Sequence, residues 1–322
     1  MRSATRSLLG AIFLWGCAST GQGEGIPYVA ITAISEHRAI DGTRRGVEDV
    51  LYEHGYAAGK TLKLRYQCAQ GSYATAAQIA KTLAAERPSV IVAISTASAQ
   101  TIAAAIRTVP IVFASVTDPV AARLVPNWSA SGTNVTGVSD AVALEDQIAF
   151  LEKLRPGLRA VGLLYNPGEV NSTIALQEMA RLLETRQVRL VPAPVQRAAD
   201  IPLAVRGLKG RVDLIYTPTD NTIGSAYESL AKVADECQIP IITPDPELVP
   251  RGAAAALGAS YYDLGRQVGE IVVRILEKES AGDIPPEVSD KIELVLNRKA
   301  ARLQGLELSA ELIDSADQVY GK

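Results

Sequence analysis

Acidic, amide and hydroxyl side chains recur in this sequence directly after short apolar runs. They are Glu36 and His37, Ser95 with Thr96, Ala97 and Ser98, then Ser115, Thr117 and Asp118. Later come Asn166, Glu169, Asn171 and Ser172, then Asp220 and Asn221, and Asp245. The clearest case is RVDLIYTPTDNT, Arg211 to Thr222, where a β-branched and aromatic strand stops on Thr219, Asp220 and Asn221. In open α/β sheets the carboxyl ends of strands are where ligands bind. Carboxylates pair with an ammonium, while hydroxyls and free N–H groups at helix starts hold a carboxylate. Such a set suits a small zwitterion, and an α-amino acid fits it. On this reading Asp220, with Asp118, takes the ammonium, and Thr96, Ser98, Ser115 or Thr117 take the carboxylate. Sugars also accept Asp and Asn, but sugar clefts stack rings on Trp or Phe, and Trp128 is the one tryptophan beyond Trp15. Helix caps and Asx turns account for part of the set.

The elements that position these residues follow from hydrophobic periodicity. Strand Tyr28 to Ile34 leads to helix Ile40 to His54, strand Thr61 to Gln67, helix Tyr73 to Glu86, strand Ser89 to Ile94, a helix to Arg107, and strand Val109 to Ala114. A polar passage, Asn127 to Asp140, breaks the rhythm. A second set then runs through strands Ala160 to Tyr165, Arg189 to Val195, Asp213 to Thr217 and Ile239 to Thr243, with helices between, one of them Thr222 to Cys237. Strands alternating with helices predict parallel sheets. Both halves read β-α-β-α-β-α-β, and VPIVFASVTDP at Val109 is answered by IPIITPDP at Ile239. The expected fold is therefore α/β, two similar doubly wound lobes with strand ends facing inward. The tail beyond Arg251 crosses back to make a three-strand hinge. The expected division is 26–138 with 259–288 for one lobe and 139–258 with 289–322 for the other.

Composition narrows the class. The 322 residues are 48% hydrophobic and 21% charged, with net charge −3 and no basic run, which excludes a phosphate-backbone partner. Two histidines without metal-ligand spacing predict no metal site, and nothing calls for a cofactor. Gly55 to Thr61 is one residue short of a phosphate loop and precedes a strand rather than following one. No nucleophile–base constellation marks an enzyme. Cys68 and Cys237 fall in different expected lobes and are read as free thiols.

Residues 1–25 read as a leader and tether: Arg2 and Arg6, the apolar stretch Leu8 to Trp15, then Leu14-Trp15-Gly16-Cys17. That last run resembles the bacterial lipobox, which implies lipidation of Cys17; an ordinary cleaved signal is the other reading. The leader, and the lack of a helix-turn-helix before Tyr28, exclude a cytosolic repressor of similar fold.

Several stretches together resemble the ABC-transporter substrate-binding proteins of the tryptophan/tyrosine-uptake type: EHRAIDGTRRGVEDVLYEHGY, SASAQTIAAAI, PIVFASVTDPVAARLV, NVTGVSD, GLLYNPGEVNS, DLIYTPTDNT, SYYDLGRQVGEI and ELVLNRKAARLQGL. The resemblance covers about Ile26 to Tyr320. It implies a type I periplasmic-binding fold, an amino-acid-like ligand held between the lobes, and delivery to a membrane permease served by a separate ATPase. It implies cleft residues at Glu36 and His37, Thr96 to Ser98, Thr117 and Asp118, Asn166, Glu169 to Ser172, and Asp220 and Asn221. The chain departs from the family at Arg38, where proline is frequent, and at Thr243-Pro244-Asp245. The expected state is a periplasmic or membrane-anchored monomer without enzymatic activity. A ligand-sensing module for a membrane receptor would use the same residues.

Overall fold

The run Val90–Ile94, VIVAI, is buried along its whole length, as a parallel strand covered by helices on both faces must be. It lies near the middle of the first of two sheets. A computed structural model describes residues 25–321. The leader and the lipidation site expected at Cys17 lie outside the described residues.

The first lobe begins with β1 (Tyr28–Ala33), α1 (Arg38–Glu53), β2 (Lys63–Cys68), α2 (Tyr73–Glu86), β3 (Val90–Ile94), α3 (Thr96–Ala105), β4 (Ile111–Ala114) and β5 (Val135–Ser139). The chain then crosses to α4 (Leu144–Leu154), β6 (Ala160–Tyr165), α5 (Val170–Thr185), β7 (Arg189–Pro194), α6 (Ile201–Leu208), β8 (Leu214–Tyr216), α7 (Asn221–Ser225), α8 (Tyr227–Cys237), β9 (Ile241–Thr243) and β10 (Ala255–Ala259). It returns for α9 (Tyr261–Leu276) and β11 (Glu287–Val288). It then crosses a third time to β12 (Ile292–Asn297), α10 (Arg298–Leu303), α11 (Ala310–Asp314) and β13 (Gln318–Tyr320).

The sheet orders are β11-β5-β4-β3-β1-β2 and β13-β12-β10-β9-β8-β6-β7. Every pairing is parallel except β10 with β12. The architecture is that of two parallel-sheet α/β lobes. Each has apolar cores on both sheet faces: α2 and α3 cover one side of the first sheet, α1 and α9 the other, α6 and α8 one side of the second, α4 and α5 the other. Cys68 and Cys237 are both free.

Three crossings join the lobes, and they are bonded to one another. Ser289 N donates to Ser139 O at 2.8 Å and Ser260 N to Lys291 O at 3.0 Å. The Lys291 ammonium lies 2.7 Å from Asp263 and 3.2 Å from Glu293.

Two elements differ from the sequence expectation for identifiable reasons. The polar passage before Asp140 contains a full strand, β5. Its inward hydroxyls are satisfied internally, Thr136 Oγ1 donating to Ile284 O (2.9 Å) and Ser139 Oγ to Thr117 O (3.1 Å), so the strand lacks an apolar signature. The expected helix Thr222 to Cys237 is two helices, broken at Ala226 (φ −124°, ψ 32°). Arg251 Nη1 takes the carbonyl of Gly224 at 2.6 Å, and a tertiary donor to a helix carbonyl leaves no trace in local periodicity.

Helices α1 and α9 touch backbone to backbone. A Cβ at Gly46 would fall 2.2 Å from Tyr262 O, and one at Gly265 would fall 2.1 Å from Thr43 O. Gly46→Ala is expected to push the helices apart and cost about 1–3 kcal/mol, several degrees in melting temperature. Gly207→Ala, in α6 with nothing within 4 Å, leaves stability equal or higher and serves as the control. Melts of the two variants beside the wild type check both expectations.

Candidate functional site

Because both sheets are parallel, β1, β3, β4, β6, β8 and β9 all end on the interlobe face, and the residues that follow them meet there. The lobes are in contact across it. Thr117 Oγ1 and Thr219 Oγ1 share a hydrogen bond of 2.8 Å, Tyr73 OH donates to Gly168 O at 3.3 Å, and Ser35 Oγ to Asn221 Oδ1 at 3.5 Å. A central cavity of about 30 Å³ remains between them. It is lined by the expected residues His37, Thr96, Ser115, Thr117, Asn171, Asp220, Asn221 and Asp245, with Ser95, Thr219, Asp140 and Tyr261 beside them.

The first lobe presents helix starts. N-caps His37 of α1 and Ser95 of α3 both lack a side-chain cap bond, leaving first-turn N–H groups unpaired within each helix. Ser95 (φ 79°) and Ser115 (φ 53°) are held in the left-handed region at successive strand ends, strain of a kind concentrated at functional sites. Ser95 Oγ has no protein partner, whereas Ser115 Oγ bonds Thr43 Oγ1 at 3.1 Å. Burial pushes the His37 imidazole down to about 4, so it is neutral at pH 7, and its buried Nδ1 also lacks a protein partner.

The second lobe presents carboxylates, and two of them are taken up in building its own wall. Asp220 Oδ1 accepts from Ile223 N (2.9 Å), capping α7, and Oδ2 accepts from Asn166 N (2.7 Å) and Ser172 Oγ (2.6 Å). Glu169 Oε2 accepts from Asn221 N and Nδ2, and Oε1 from Thr222 N and Oγ1, at 2.7–3.0 Å. Burial, reinforced by the neighbouring Glu169 charge, raises Asp220 to about 7. Asn171 Nδ2 donates to Thr219 O and fixes the loop that faces Thr117.

Other expected contacts are displaced from the centre. Ser98 turns back to the sheet, its Oγ donating to Thr32 O at 3.2 Å, and Ser172 is fully buried against Asp220. Neither residue lines the cavity, and each hydroxyl donates within its own lobe. Asp118 Oδ1 accepts from Val120 N and Ala121 N, a turn cap beside the cavity rather than in it. Glu36, Ala97, Asn166 and Glu169 line a wider groove of about 770 Å³ at the cleft mouth, with Tyr73.

Two residues were not singled out from the sequence, Asp140 and Tyr261. Asp140 follows β5, so the polar strand that went unrecognised also hid its carboxyl end. Tyr261 OH donates to Asp140 Oδ2 at 3.1 Å, while buried Oδ1 has no protein partner, and burial raises this carboxyl. Among the described residues Asp245 accepts from Glu247 N alone (2.9 Å). Burial, with the Glu247 and Asp140 charges nearby, raises it to about 8. A second pocket of about 180 Å³ adjoins the cavity, sharing Thr117, Asp140, Asn171 and Thr219. Its other walls include Val142, Leu144, Ile174, Ala175, Tyr216 and Pro244.

The family model for ABC transporter substrate binding proteins matches residues 28–320. The chain belongs to that family. This member is 33% identical over 286 residues to the tyrosine-binding protein of Clostridioides difficile strain R20291, covering 88% of this chain and 83% of that one. It superposes on the ABC domain of Streptococcus pneumonia in complex with L-Trp with TM-score 0.86 and 28% identity, covering 91% and 99% of the two chains. Against the ligand-free, open structure of a substrate binding protein with adhesive properties from Clostridium difficile the TM-score is 0.70 at 32% identity, covering 92% and 100%.

Asp245 generates a pH-dependent stability difference. Its carboxyl titrates near 3.8 when unfolded and near 8 when folded, so the folded state binds the extra proton and wild-type stability falls as pH rises from about 4 to 8. Asn at this position can still accept from Glu247 N and carries no charge. Asp245→Asn is therefore expected to melt higher than wild type at pH 8 and to differ little at pH 4, as read by calorimetry at the two pH values.

Proposed function

We propose that this protein captures an aromatic L-amino acid between its lobes and presents it, lobes closed, to a membrane permease driven by a separate ATPase. The observation that carries the reading is the convergence of three buried, partnerless polar atoms on one interlobe cavity: His37 Nδ1, Ser95 Oγ and Asp140 Oδ1. Uncapped helix starts on one wall favour an anion, and carboxylates on the other favour a cation. An α-carboxylate and an α-ammonium on one carbon supply both.

The relatives support the ligand class, one being named for tyrosine and another holding L-Trp. Lobe placement supports the closed form, because the chain matches the L-Trp complex better (0.86) than the open, ligand-free structure (0.70), although it is less identical to the former. In this proposal the side chain enters the adjoining pocket between Ala175, Ile174 and Pro244, and closure excludes water from the pairings. The role is binding without catalysis. Membership of the ABC transporter substrate-binding family supports a site of action outside the cytoplasm; in this proposal residues 1–25 act as the export signal and Cys17 is the lipid anchor.

A thermal-shift screen against the amino acids, with sugars and purines in parallel, tests the ligand class. A ligand at a hundred times its Kd stabilises by about 2.7 kcal/mol, a shift of several degrees. Tryptophan, tyrosine or phenylalanine is expected to raise the melting temperature; a response to sugars alone would overturn the reading. Ala175→Leu, which narrows the side pocket, is expected to weaken aromatic amino acids about tenfold or more while sparing alanine and serine. Isothermal titration of both groups checks this.

A further inference from the structure

We infer that the ligand ammonium is gripped by Asp140 and Asp245 together, at the edge of the cavity nearest the hinge, and that Asp220 is a positioning residue. The inference rests on the amino-acid reading above. It concerns which of three cavity carboxylates carries the cation.

The hydrogen-bond inventory separates them. A carboxylate offers about four acceptor positions. Asp220 gives three of them to Ile223 N, Asn166 N and Ser172 Oγ, all within its own lobe. Its geometry is set by the α7 start and the loop after β6, as a wall-building group requires. Asp140 and Asp245 each accept one bond, from Tyr261 OH and Glu247 N respectively. Both residues are buried, and Asp140 Oδ1 has no hydrogen-bond partner among the described residues. Among the described residues no lysine or arginine lines the cavity, and the Arg251 charge that reaches Asp245 does not offset its burial. Two buried carboxyls facing one space are costly unless a partner arrives.

An ammonium fits that space chemically. It has three N–H donors, and the groups within the cavity supply three kinds of acceptor: Asp140 Oδ1, the second oxygen of Asp245, and the Thr117–Thr219 hydroxyl pair that bridges the lobes. The α-carboxylate then points toward Ser95 and the α3 start. The placement also joins ligand to hinge. Asp140 follows β5 on the first crossing, and its partner Tyr261 opens α9 just beyond the second. A cation that draws Asp140 into the cavity thus acts on two crossings at once, a link that Asp220, inside its lobe, does not have.

The test is isothermal titration of wild type, Asp140→Asn, Asp245→Asn and Asp220→Asn with L-tryptophan and L-tyrosine. The same proteins are titrated with the corresponding 3-arylpropionates, which keep ring and carboxylate but lack the ammonium. Wild type is expected to prefer the amino acids. In Asp140→Asn and Asp245→Asn that preference should collapse, with amino-acid affinity falling on the order of thirtyfold or more while the arylpropionates bind as well or better. Asp220→Asn should weaken both ligand types by similar factors, as a positioning defect does. Melting curves show that each variant is folded. Retention of the preference by Asp140→Asn and Asp245→Asn, or its loss in Asp220→Asn alone, would overturn the inference and leave the amino-acid reading standing. A wild type that binds neither amino acid would overturn both.

Discussion

Buried polarity that the described residues leave largely unpaired is the constraint around which the cleft is arranged. On one side the starts of α1 and α3 lack side-chain caps; at the hinge edge and on the facing lobe, Asp140 and Asp245 respectively sit in surroundings that push their protons on rather than off. A folded protein tolerates such groups only where the scaffold around them is strong. Here the scaffold is two parallel sheets whose central strands are covered on both faces, so apolar burial far from the cleft offsets the cost at the strand ends. Strain at Ser95 and Ser115 is tolerated on the same terms.

The acids divide into two kinds although their side chains are chemically alike. Glu169 and Asp220 are engaged by several backbone, hydroxyl and amide donors and act as braces that join the β6 and β8 loops to α7. Asp140 and Asp245 are sparsely bonded and face the cavity. Burial alone does not distinguish these kinds, since both are largely withdrawn from solvent; the donors around each oxygen do. The same distinction holds among the hydroxyls, where Ser98 and Ser172 serve the fold while Ser95 is left over.

Much of the architecture was legible because parallel strands are near-continuous apolar runs and their helices carry clear periodicity. VIVAI and the Ala-rich α2 are examples. Strand ends followed from that, and with them most of the cleft. The sequence hid β5, whose buried hydroxyls bond to carbonyls distant along the chain, and with it Asp140. It also could not reveal which acids were already occupied: the partners of Asp220 lie up to 54 residues away, and the break between α7 and α8 answers to Arg251, far from either helix. Local pattern reports burial and period, whereas occupancy of an oxygen is set by tertiary neighbours.

The order in which the chain visits the lobes has a consequence for how it folds. One face of the first sheet is covered by α9, whose Leu264, Val268, Ile271 and Val272 belong to the same apolar core as β1, β3 and α1. That helix is synthesised only after the whole of β6 to β10. The first lobe to be begun is thus completed only after most of the second has been made, and its nascent sheet stays open on one side until more than a hundred further residues have been added. Such long-range closure is slow and leaves apolar surface exposed meanwhile. Until α9 arrives, the part of the first sheet's apolar face that it covers lacks the packing partner it has in the finished fold.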